Sequence, residues 1–138
     1  MTEKDERKAL MEQLVSEEVM RPMDYFPHYV NASSDPKLQR LRDDHGWESV
    51  GRWWFLVELL HAAEGHAIDV SRPAQWRRLS NELEFDDVTQ CRDFIAWLSA
   101  LRLIDRDALE GGHVINKRVV ENAEFYAKKR AAGRIGKR

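Results

Sequence analysis

The chain has 138 residues, of which 43% are hydrophobic and 33% charged, with a formal net charge of −2. That is the balance of one globular domain with modest extensions. No apolar run is long enough to span a bilayer, no charged-then-apolar leader opens the chain, and the single Cys91 leaves no internal disulfide. Neither membrane insertion nor export is expected, and a reducing cytoplasm is the expected setting.

Charge is distributed unevenly. Residues 1–20 hold six acids against three bases, and residues 128–138 hold six bases and no acid. Residues 4–20 read as a polar helix with one thin apolar stripe, Leu10, Met11, Leu14, Val15 and Val19, which the domain or a second copy of the chain must cover. Arg21-Pro22 ends it. Tyr25, Phe26 and Pro27 form an extended aromatic lead-in. Asp35 is an N-cap with Pro36 at the first helical position, Leu38 and Leu41 follow, and Gly46 stands where a glycine stop belongs. The helix over 48–64 is apolar on nearly every side and must be central. Ala67–Val70 alternates as a short strand, and a helix after Pro73 points Trp76, Leu79 and Leu83 one way.

Asp86 is expected to cap the next helix, 87–102, with Val88, Cys91, Phe94, Ile95, Leu98 and Leu101 inward and Thr89, Gln90, Arg92, Asp93, Ser99 and Arg102 outward. Leu103-Ile104 and Val114-Ile115 read as two strands joined across Glu110-Gly111-Gly112. Asn116 caps a last helix bearing Val119, Ala123 and Tyr126. That helix runs into a basic, glycine-broken end expected to fray.

From residue 48 the order is helix, strand, helix, helix, strand, turn, strand. The expected fold is mainly α, a winged helix-turn-helix with a small β-wing over 105–113 and extra N- and C-terminal helices. The expected organisation is an N-terminal helical extension at 1–22, the winged-helix domain at 23–127 and a basic tail at 128–138.

Three motifs carry a family resemblance: Phe26-Pro27-His28, Asp35-Pro36-Lys37-Leu38, and Gly46…Gly51…Trp54…Leu59-Leu60. With Gly111-Gly112 and the basic end, the chain resembles the N-terminal domains of phage and prophage proteins related to replisome organisers and DnaD-type primosomal proteins. The resemblance covers roughly residues 24–138 and implies a winged-helix module serving DNA replication. It departs from the family after His28, where an acid is usual and Tyr29 stands here.

Lys128, Lys129, Arg130, Arg134, Lys137 and Arg138 suit non-specific phosphate contact, and equally a solubilising terminus or linker. Gln90 and Arg92 could read base edges, but Asp86, Asp87 and an acidic wing oppose phosphate, so sequence-specific readout is not expected. Trp53, Trp54, Trp76 and Trp97 read as core and Trp47 as the exposed one. Phe26-Pro27-His28 reads as a plug over the first helix, with His28 hydrogen-bonded locally. His61…Glu64…His66 lacks zinc-protease spacing, and no phosphate-cradling or nucleophile motif is present, so no metal, cofactor or catalysis is expected. Expected partners are DNA or replication proteins, with possible self-association through residues 4–20. The alternative function is an oligomerisation or protein–protein interaction domain that binds no nucleic acid.

Overall fold

Side-chain caps start most of the helices in the computed structural model, which describes residues 2–136. Helix α1 (Glu3–Glu18) opens on a capping box between Thr2 and Asp5. Helix α2 (Pro36–Ala62) opens as its sequence demands: the Asp35 carboxylate accepts the Lys37 amide at 2.8 Å, behind Pro36 at the first position. Gly46 breaks α2 with φ 84 and ψ 172, a backbone shape other residues avoid. The chain then turns straight back into helix, so the two expected helices join as bent halves of one.

Next come β1 (Ile68–Asp69), α3 (Pro73–Glu82), α4 (Val88–Ala100), α5 (Arg106–Glu110), β2 (His113–Val114) and α6 (Lys117–Gly136). The molecule is therefore mainly helical with one two-stranded antiparallel sheet. The core lies between the second half of α2 and α4, where Leu56, Leu60, Phe94, Ile95 and Leu98 are fully buried. Trp54, expected among them, is only half-buried. Arg52 locks the end of α3 to α2. Its Nε donates to the Leu83 carbonyl at 2.8 Å, and its guanidinium lies 4.1 Å over the Phe85 ring.

Several expectations are corrected. Leu103-Ile104 is no strand, although the Asp105 amide donates one bond to the Ile115 carbonyl at 2.9 Å. Instead β2 pairs with β1, Val114 opposite Ile68 and His113 opposite Asp69. The wing is replaced by α5, because the Asp105 carboxylate caps a helical turn by accepting the Ala108 amide at 2.7 Å. Gly112, read as a wing turn, has φ 90, and a Cβ there would lie 2.9 Å from the Ser71 Cβ. It lets two backbones meet so that the Val70 amide can donate to the Gly112 carbonyl at 2.8 Å. Asp87, not Asp86, caps α4, accepting the Gln90 amide at 2.8 Å. Asp86 lies in the bend just before α4, where its amide donates to Gln90 Oε1 at 3.3 Å.

The C-terminal segment does not fray within the described residues: α6 continues to Gly136. Val119, Ala123, Ala127 and Ala131 recur every four residues and are all buried, so one face of α6 stays small enough for α1 to lie against it. This answers the question posed by the α1 stripe. Leu14 is buried and Leu10, Met11, Val15 and Val19 are half-buried, with α6 of the same chain packed along α1.

Candidate functional site

The basic end divides in two. Glu18, at the end of α1, is buried, and its carboxylate accepts Arg130 Nε at 2.9 Å, Arg134 Nη1 at 3.1 Å and Arg21 Nη1 at 3.1 Å. Burial pushes the Glu18 carboxyl up, but the three guanidiniums outweigh it and hold it below the usual carboxylate range. Arg130 and Arg134, expected to meet phosphate, are thus committed to a contact inside the molecule. Lys128 and Lys129 remain exposed, while Lys137 and Arg138 lie outside the described residues.

Gln90 and Arg92 are exposed near the start of α4. Arg92 lies 4.8 Å over the Trp76 ring, and the Gln90 side chain accepts the Asp86 amide at 3.3 Å. Ser99, expected outward, is buried, and the outward face of α4 instead shows Ala96, Trp97 and Ala100. Trp97 is 36% exposed and stacks on His45 at 3.7 Å, so it is a rim residue and not core. Trp47 is 70% exposed, as expected.

The aromatic lead-in forms one wall of a cleft of about 960 Å³. Phe26 stacks on His61 at 4.1 Å with the rings 3° from parallel, and Tyr25 meets Tyr126 of α6 edge-on. The plug therefore seats on the second half of α2 and on α6. His28 is held by a stack on Trp54 at 4.1 Å, in place of the local hydrogen bond expected. Beneath them His61 is fully specified. Its Nδ1 donates to the Val57 carbonyl at 2.8 Å and its Nε2 accepts Asn122 Nδ2 at 3.1 Å, which fixes the neutral tautomer. Burial lowers the His61 pKa, the Val57 bond opposes that, and the nearby His66 lowers it further.

The rest of the cleft is charged. Lys37, Arg102, Arg106, Lys117 and Arg118 line it from four separate parts of the chain, together with Asp35, Asp105, Asp107 and Glu121. Two of those acids are already engaged as caps, Asp35 on α2 and Asp105 on α5. Lys37 Nζ donates to the Arg102 carbonyl at 3.1 Å, tying the start of α2 to the end of α4. Arg102 itself takes φ 60. Tyr29 is 59% exposed, with the Arg118 guanidinium 6.0 Å from its ring.

Sequence reasoning missed this cationic group, although a signal was present. Lys37, Arg106, Lys117 and Arg118 all fall in the first turn of a helix, where the backbone dipole disfavours cations. His61 and His66 both turn Nδ1 to backbone carbonyls. No cluster of three or more metal-binding side chains exists among the described residues.

No helix of the described residues is long and apolar enough to cross a membrane. No curated protein and no solved structure matches the chain. The family described as Lin1244/Lin1753-like, N-terminal, matches residues 25–116. That span contains the Phe26-Pro27-His28 lead-in, the broken α2 and every element through β2, leaving α1 and all of α6 as flanks. The chain belongs to the Lin1244/Lin1753-like N-terminal family.

Proposed function

We propose that this chain is a non-catalytic, mainly helical module of phage-type DNA replication that holds nucleic acid non-specifically by its phosphates. The supporting observation is the outward face of α6. Lys117 and Lys128 are three helical turns apart, as are Arg118 and Lys129, and all four are exposed. Glu121, 4.0 Å from Lys117 and 3.7 Å from Arg118, offsets part of that charge. The face runs directly into the cleft, where five basic side chains meet four acidic ones, so phosphate contact rests on Lys117, Arg118, Lys128 and Lys129 more than on Arg130 or Arg134. Kinship with replisome organisers and DnaD-type proteins is part of this proposal and rests on the lead-in and helix motifs.

A salt-dependent anisotropy titration with labelled DNA tests it. Replacing Lys128 and Lys129 by Glu should weaken binding and lower the slope of log affinity against log salt by about 1.4 on single strands or about 1.8 on duplex. Absence of binding to either form at low salt would reject the reading. One observation favours the second reading, a protein–protein interaction domain: Trp47, Phe55 and Trp97 are all exposed. Self-association in light scattering that is lost on Trp47→Ala, with no DNA bound, would establish that reading instead.

A further inference from the structure

We infer that the cleft beneath the aromatic lead-in is a single-strand nucleic-acid site, in which Tyr29 carries an unpaired base and Lys37, Arg102 and Arg106 hold the adjoining phosphates. This rests on the nucleic-acid reading above and specifies its substrate.

Three features converge on it. The first is electrostatic misplacement. Cations in the first turn of a helix oppose its dipole, yet Lys37, Arg106, Lys117 and Arg118 all occupy such turns and all line one cleft. Each placement costs a little stability in the free protein, and a bound anion would reverse the sign of that cost. Helix ends alone do not supply the attraction, because Asp35 and Asn116 already cap α2 and α6. The side chains must supply it.

The second feature is the aromatic wall. Tyr29 is 59% exposed, lines the same cleft as those cations, and has the Arg118 guanidinium 6.0 Å from its ring. His28, next to it, is exposed and backed by Trp54 at 4.1 Å. Exposed rings beside cations at the mouth of a groove are what unpaired bases use, since every base offers a stacking face. A duplex hides those faces.

The third feature is the lack of a duplex reader. The start of α4 carries Asp86 and Asp87, and its outward face shows Ala96, Trp97 and Ala100. The place of a wing is taken by a five-residue helix containing Asp107 and Glu110. Arg92 and Arg106 are outnumbered there by Asp86, Asp87, Asp93, Asp107 and Glu110, which repel the phosphates of a duplex groove.

The test uses the full chain with fluorescein-labelled oligothymidylate and a hairpin duplex of equal charge. Tighter binding to the single strand is expected. Tyr29→Ala should weaken that binding about tenfold or more and leave duplex binding nearly unchanged. Arg106→Ala should reduce the salt slope on the single strand by about 0.7. Thermal melts of both variants should match the parent, since both residues are exposed.

Duplex binding as tight as single-strand binding, or Tyr29→Ala without effect while the Lys128/Lys129 variant loses affinity, would overturn the cleft and leave the α6 reading standing. No binding of either probe removes both.

Discussion

Replacing Glu18 by Gln keeps the side-chain volume and removes the negative charge that three arginines share. The carboxylate is 2% exposed, whereas the side chains of Arg130, Arg134 and Arg21 are 35%, 46% and 66% exposed. The arginines can therefore return to water when the charge is gone, which keeps the loss below the roughly 3–5 kcal/mol expected when a fully buried pair is broken. Arg21 is too exposed to count for much. Arg130 and Arg134 each lose a charge-assisted bond, about 1–1.5 kcal/mol apiece after screening. The total is roughly 2–3 kcal/mol, or about 7–10 °C in Tm for a chain of this length.

Urea unfolding at neutral pH measures this loss, and hydrogen exchange locates it. The amides of α1 should lose protection first, because α1 packs chiefly on α6. An unchanged midpoint together with unchanged protection in α1 would show that apolar packing alone holds the two helices and that the ion pairs add nothing.

Two further outcomes are expected. The folded pKa of His61 lies below its ordinary value, so its contribution to stability is complete above about pH 6.5 and is lost as pH falls through the folded value. His61→Phe, which keeps a ring against Phe26, should flatten that part of the profile, and a parent protein equally stable at about pH 7 and about pH 5 would contradict the assignment. Gly51 is exposed within α2, and a Cβ there would meet nothing within 4 Å. Gly51→Ala should therefore raise stability by about 0.5–1 kcal/mol in a thermal melt, and a lowered Tm would mean that the helix is strained there.

Local chemistry was legible in the sequence, and distant pairing was not. Asp35-Pro36, Gly46 and Asn116 act within four residues of themselves, so a reader of the chain can place them. The inward side of α4 follows from periodicity alone, as Cys91, Phe94, Ile95 and Leu98 show. Two-residue strands carry no register, so nothing in Ile68-Asp69 announces His113-Val114 as its partner. The continuation of α6 was legible in principle, since Ala127 and Ala131 extend the spacing of Val119 and Ala123. The glycines and the dense positive charge drew attention from that pattern. The destination of Arg130 was not legible, because its partner Glu18 lies 112 positions away. The cleft was hidden for the same reason: its walls run from Phe26 to Asn122.

The bond from Arg130 to Glu18 also bears on the order of assembly. Closing a flexible loop of that length costs about 4 kcal/mol in chain entropy, more than those ion pairs return. The clasp between α1 and α6 cannot nucleate folding. It forms once the intervening elements have condensed and brought its halves within reach. On the ribosome α1 is made more than a hundred residues before Arg130, so its apolar stripe stays unpartnered until α6 follows. The dense charge of residues 3–18 keeps that waiting helix soluble.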